Sequence, residues 1–306
     1  MSVNTREAEG SLRVLACVAM ADGKIHDNER TALTVALDSL ADIQDEMTQP
    51  ILSVDDLLAT SSADHLLDYI NNIISPDARE LTYNTAFAMA NVDGDCDQTE
   101  KAVLDQLQSA FGVKPRKIEK LLSILRNMRQ SFHRETPVMP EFDLSRREKS
   151  LEQLALHYAT LCAMFWVFPS LNVAIGPDIL VITYQCQMIR EVAICWDINT
   201  ADINAYQIWR GITQGIQPTG VRDAISNLTK MPPIGASLTG VSTTFANTWA
   251  LTVTVNQYFA KLANHEPIDM QAMHEAFKAA REKGAQVYNK NIKFVREKME
   301  SLKSAS

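Results

Sequence analysis

Most of the patterns that announce chemistry are missing from this chain. It contains no GxxxxGKS or GxxxxGKT loop, no GxGxxG, no HExxH and no GxSxG. Phosphate cradles, dinucleotide turns, zinc-protease helices and serine-hydrolase elbows therefore have no sequence support. The six histidines are scattered, and the five cysteines (Cys17, Cys96, Cys162, Cys186, Cys195) form no CxxC pair, so zinc-type spacing is also absent. The cysteines sit among apolar neighbours, which predicts buried thiols in a reducing cytosol rather than a disulfide framework. Met1 to Val14 lacks an apolar h-region, so no secretory signal is expected. No stretch alternates apolar and polar residues convincingly, so strands should be few or absent. The basic segments lack interleaved stacking aromatics, which argues against a nucleic-acid partner.

What is present is apolar content and uneven charge. A hydrophobic fraction of 46% over 306 residues allows two domains with real cores. The net charge of -8 conceals a division. Residues 1–110 hold 20 Asp+Glu against 6 Lys+Arg, a net of -14, and the remainder holds 17 against 23, a net of +6. An acidic head attracts cations and repels nucleic acid and anionic lipid, and a basic remainder does the opposite.

The periodicity is helical nearly throughout. Ser11 to Ala21 and Leu33 to Leu40 carry apolar residues at three- and four-residue steps. Ser75-Pro76 predicts a helix start, with serine as N-cap and proline at the first helical position, leading into a helix to Met89. Lys114-Pro115 opens another helix through Leu121, Leu122, Ile124 and Leu125 to about Ser131. Glu135 to Asp143 contains Pro137 and Pro140 without periodicity and is the linker candidate. Beyond it charge becomes sparse: residues 153–177 and 231–260 carry no Asp, Glu, Lys or Arg. The chain closes with a basic helix, residues 278–303 holding eight Lys+Arg against three Glu.

The most informative feature is an internal repeat. Ala19-Met20-Ala21-Asp22-Gly23 to Glu29 and Ala90-Asn91-Val92-Asp93-Gly94 to Glu100 superpose at an offset of 71 residues, which also carries Leu33 onto Leu104. Gly23, Ile25 and Glu29 imitate the second half of an EF-hand loop. The early ligand positions are Val18 and Met20 in one copy and Met89 and Asn91 in the other, so a working EF-hand is excluded. Two readings of the repeat stand. Asp-Gly is a turn dipeptide, and Asp97 with Glu100 matches a helix-capping pattern, so the acids shape the backbone and favour the helix dipole. Alternatively the copies face each other across a pseudo-twofold axis. Asp22, Glu29, Asp93, Asp95, Asp97 and Glu100 would then converge, and a hard cation, Ca²⁺ or Mg²⁺, would relieve their repulsion.

The doubled Ala-x-x-Asp-Gly-x-x-x-x-x-Glu signature, in an acidic helical unit covering about residues 6–132, resembles the TerB-like domain of tellurite-resistance proteins. That resemblance implies a compact helical domain with a clustered acidic surface, proposed to bind metal ions and to work in membrane-linked stress complexes. It implies no established catalytic activity. In the second half, Pro177-Asp178 opens a helix through Ile179-Leu180-Val181-Ile182 to Glu191, followed by Lys230-Met231-Pro232-Pro233-Ile234-Gly235 and a small-residue helix up to Phe259. This order, over about residues 150–265, resembles domain-of-unknown-function family 697, which implies a helical, membrane-associated domain often linked to GTPases.

A membrane-spanning helix needs about 20 mostly apolar residues. Residues 153–177 are interrupted by Pro169 and Gly176. Residues 231–260 are rich in Ser, Thr and Asn, which suits close helix packing in a bundle as well as in a bilayer. Trp166, Trp196, Trp209 and Trp249 read as core residues or as interfacial anchors. The basic tail fits an interfacial helix or a solvated cover for the domain. The expectation is therefore an all-α chain: a TerB-like acidic domain with a pseudo-twofold helical repeat over 1–134, a linker over 135–145, and a membrane- or partner-associated helical domain over 146–306. Its expected function is that of a non-enzymatic cytoplasmic adaptor or sensor, peripheral at the inner membrane face, with a protein partner such as a GTPase. The alternatives are a soluble interaction scaffold without metal and a metal-dependent enzyme using Asp93, Asp95 and Asp97.

Overall fold

The computed structural model describes residues 5–39, 53–91, 96, 98–113, 116–165, 176–215 and 238–304. Among them are twelve α-helices and no strand. The chain divides into two compact units, residues 1–123 with 170–183 and residues 124–169 with 184–306.

The first unit contains α1 (Thr5–Ala19), α2 (Asp27–Ser39), α3 (Val54–Thr60), α4 (Leu66–Asn71), α5 (Pro76–Met89) and α6 (Gln98–Phe111). Leu12 through Ala19 are all buried, Arg13 included, so this half of α1 must be surrounded. Helices α2 to α6 all pack against it. The repeat now extends well beyond the acidic turns. Displacing the starts of α1 and α2 by 71 residues gives the starts of α5 and α6. The packing repeats as well: α1 on α2 matches α5 on α6, and α1 on α6 matches α5 on α2. Ser11 Oγ lies 2.7 Å from Thr82 Oγ1, a contact between residues 71 apart. Only residues beside a twofold axis can touch their own equivalents. The pseudo-twofold therefore passes between α1 and α5.

Helix α5 starts as its sequence dictates. Ser75 Oγ accepts from the Ala78 amide and Pro76 occupies the first turn. Glu7 of α1 adds a clamp, its Oε1 accepting from the backbone amides of Ile74 and Ser75. Gly10 is required for close approach, because a Cβ there would lie 2.9 Å from the Tyr69 carbonyl oxygen.

Helix α7 (Arg116–Glu135) begins just after Lys114-Pro115, which lie outside the described residues, and runs four residues past Ser131. The residues between it and α8 (Leu144–Met164) are non-helical, and Asp143 caps α8 by accepting from the Arg146 amide. Helix α9 (Gly176–Cys195) follows, then α10 (Ala205–Gln214), α11 (Leu238–Ala263) and α12 (Met270–Ser304).

In the second unit α11 packs on α8, α10 and α12. Its buried threonines Thr248, Thr252 and Thr254 are satisfied internally. Thr254 donates to the Ala250 carbonyl, while Thr252 donates to that of Thr248 and to Met188 Sδ. Trp209 Nε1 donates to Gln185 Oε1 at 2.7 Å, and Gln185 Nε2 donates to Thr248 Oγ1 at 2.8 Å. The small residues serve close packing: a Cβ on Gly284 of α12 would lie 2.6 Å from the Ala246 carbonyl oxygen of α11.

Trp209 and Trp249 are core residues, and Trp196 is stacked by the Arg147 guanidinium at 3.6 Å; Trp166 lies outside the described residues. Four of the cysteines are buried and Cys96 is half-buried, so the expectation of uniformly buried thiols fails there. No described helix is long and apolar enough to cross a membrane.

Candidate functional site

The first acidic turn follows the end of α1. Met20 and Ala21 amides still bond back to Ala16 and Val18, and the Gly23 amide donates to the Met20 carbonyl. Gly23 has φ +78°, the left-handed region that glycine enters without a Cβ penalty. Asp22 Oδ1 accepts from the Lys24 amide at 2.7 Å, closing the turn. Its other oxygen is 3.9 Å from His26 Nε2. Helix α2 then starts at Asp27, and Glu29 folds back so that its Oε2 accepts from the His26 amide at 2.8 Å. This is the reciprocal half of a capping box. The sequence pattern pointed to Asp97 and Glu100 for this role; the structure displays it at His26 and Glu29.

The second copy begins in the same way. Ala90 and Asn91 amides bond back to Ala86 and Ala88, and Asn91 Nδ2 donates to the Phe87 carbonyl. Asp93, Asp95 and Asp97 lie outside the described residues. Glu100 occupies the third position of α6, as Glu29 does in α2, and both are buried, at 6% and 3% exposure. Two carboxylates at equivalent helix starts are thus withdrawn from solvent, while Asp22 remains half-exposed. Among the described residues no group of three or more His, Cys, Asp or Glu side chains is placed to hold a metal ion.

A second polar centre, in the other unit, was not legible in the sequence. Glu191 of α9 is buried, with Tyr158 of α8 donating to Oε1 at 2.7 Å. His133 Nε2 of α7 lies 3.2 Å from Oε2, and Arg129 Nη2 lies 3.6 Å from Oε1. The Arg129 guanidinium also faces the Gln187 amide. Burial, reinforced by Glu191, pushes the Tyr158 hydroxyl well above its ordinary value. His157 stacks on Phe132 at 4.0 Å, and its buried Nε2 has no hydrogen-bond partner among the described residues. Desolvation, then the His133 and Arg129 charges, lower its pKa to about 3. Burial likewise raises the Cys162 and Cys186 thiols to about 12, so neither is a ready nucleophile. The only sequence trace of this centre is a lone Arg-Glu pair, Arg190-Glu191, in a charge-poor helix.

The first unit is thus a doubled pair of helices related by a pseudo-twofold axis, the first pair joined by a described acidic turn. Residues 8–123 match the family described as Tellurite resistance protein TerB. The N-terminal unit is therefore TerB-like, in agreement with the resemblance read from its repeat. No curated protein and no solved structure matches the chain.

Proposed function

We propose that this chain is a non-enzymatic adaptor of the tellurite-resistance and stress-response type. Its acidic head binds a divalent cation, and its C-terminal unit engages a protein partner or a membrane surface. The observation that carries the reading is the position of the two acidic segments in the sequence, each between the two helices of one repeat copy. They occupy equivalent helix junctions of a pseudo-twofold unit, inside the segment that matches TerB. Asp93, Asp95 and Asp97 form the core of the proposed site, joined by Glu100 and by Asp22 and Glu29 of the first copy. Oxygen donors alone suit Ca²⁺ or Mg²⁺ rather than a softer metal. Capping accounts for Glu29, and a turn accounts for Asp22. Neither role requires three aspartates at alternate positions of the second turn.

For the C-terminal unit, the resemblance to a GTPase-linked helical family and the basic final helix favour a partner or anionic lipid surface at the inner face of the membrane. Calorimetry of the full chain tests the metal role. Calcium should raise the melting of the N-terminal unit, by about 3 kcal/mol of stabilisation at a hundredfold excess over Kd. The triple variant Asp93→Asn, Asp95→Asn, Asp97→Asn should abolish that rise. If neither calcium nor magnesium moves the wild-type transition, the acidic repeat is scaffolding alone.

A further inference from the structure

The segment joining the two repeat copies is held more firmly than a connector needs to be. Arg13 Nη1 of α1 donates to the Thr60 carbonyl at 3.0 Å and to Thr60 Oγ1 at 3.1 Å, and its guanidinium lies over the Tyr69 ring. Gly10 abuts Tyr69, Asn72 and Ile73. Arg6 Nε donates to Asn72 Oδ1 at 2.8 Å, and Glu7 holds the Ile74 and Ser75 amides. Residues 60–75 are thus pinned along α1 at successive turns.

The strap has two faces at helical spacing. Leu66, Ile70 and Ile73 point inward and are buried at 4%, 4% and 0% exposure. One residue further on, Leu67, Asn71 and Ile74 point outward, and Leu67 and Ile74 are 57% and 62% exposed. Acids border them: Asp64, Asp68, Asp77 and Glu80 are all exposed. From residue 53 to residue 80 there are six carboxylates and one arginine, Arg79, whose Nε is turned inward to the Ile73 carbonyl. Among the described residues none of Asp64, Asp77 and Glu80 pairs with a basic side chain. Two rigidly presented aliphatic side chains in an acidic field form a recognisable surface.

The geometry points to this strap as a docking face for a cationic amphipathic helix of a partner protein. Apolar anchors of such a helix, one or two turns apart, cover Leu67 and Ile74. Its lysines and arginines meet Asp64, Asp68, Asp77 and Glu80. The face shares no residue with the acidic repeat, so the inference does not depend on that repeat holding a cation.

The test uses the full chain in EDTA and a fluorescein-labelled amphipathic peptide of leucine and lysine at helical spacing. Anisotropy should show saturable binding. Leu67→Ser with Ile74→Ser should weaken it about tenfold without changing the charge, as loss of central apolar anchors does. Asp68→Lys should weaken it and flatten its salt dependence. Met139→Ser with Phe142→Ser, exposed apolar residues of the other unit, should leave it unchanged. Hydrogen exchange on the wild-type complex should show protection within residues 63–80. Absence of binding, equal binding by the Leu67/Ile74 variant, or protection confined to other segments would overturn the assignment.

Discussion

Mild acid should selectively loosen the C-terminal unit through His157. Its ring is stacked on Phe132, meets Tyr158 edge-on, and lies in the field of Arg129 and His133. The folded protein therefore keeps it neutral, with a pKa near 3, against 6.5 for the ordinary side chain. A histidine with a depressed pKa binds its proton more readily when unfolded. Its contribution is complete above pH 6.5 and is lost as pH falls from 6.5 towards 3. The slope is about 1.4 kcal/mol for each pH unit, so acidification by about two units costs about 2–3 kcal/mol.

His157→Phe keeps a ring against Phe132 and removes the titration. Tryptophan fluorescence reports this unit specifically, because Trp196, Trp209 and Trp249 belong to it and residues 1–123 contain no tryptophan. Urea unfolding of both proteins at several pH values gives a difference in which all other titrations cancel. The wild type should lose ground to the variant by about 2–3 kcal/mol between neutral pH and about pH 4.5, with a flat difference above pH 7. Parallel curves across the range would refute the claim that His157 is buried neutral.

Two further outcomes follow from close contacts between helices. Gly284→Ala should lower the melting temperature of the same unit. A Cβ would meet the Ala246 backbone, which cannot step aside; overpacking of about 1–3 kcal/mol exceeds the gain in helix propensity of about 1 kcal/mol. An unchanged or raised melting temperature by circular dichroism would contradict the close approach of α11 and α12. In the first unit, Ser11→Ala and Thr82→Ala should show a coupling of about 0.5–1.5 kcal/mol in a double-mutant cycle read by chemical denaturation. Strict additivity would mean that the pseudo-twofold contact is not formed.

How much was legible varied with the range of the interaction. The cap of α5 is a matter of neighbouring residues, Ser75 and Pro76, and it could be read directly. The repeat was equally open, because duplicated residues keep their spacing whatever they pack against. Its consequence, that α1 and α2 reappear as α5 and α6, followed from the same offset. The roles of Glu29 and His26 were harder. The first copy has no side-chain cap signature at His26, so the reciprocal bond from the His26 amide to Glu29 emerges only once the turn is built. Arg129, His133, Tyr158 and Glu191 were invisible as a group, since they are ordinary residues spread over three helices, α7, α8 and α9.

The sequence by itself determined the all-α class, the doubled acidic junctions and the division of charge, because helical periodicity, turn chemistry and net charge are local or additive. Tertiary structure alone decided that Ser11 meets Thr82 beside the pseudo-axis, that Glu191 gathers its partners from two other helices, and that Leu67 and Ile74 remain outside while Leu66, Ile70 and Ile73 are buried. Each of these depends on which residues distant in the chain arrive at the same place, and burial changes the energetic meaning of a side chain only after that has happened.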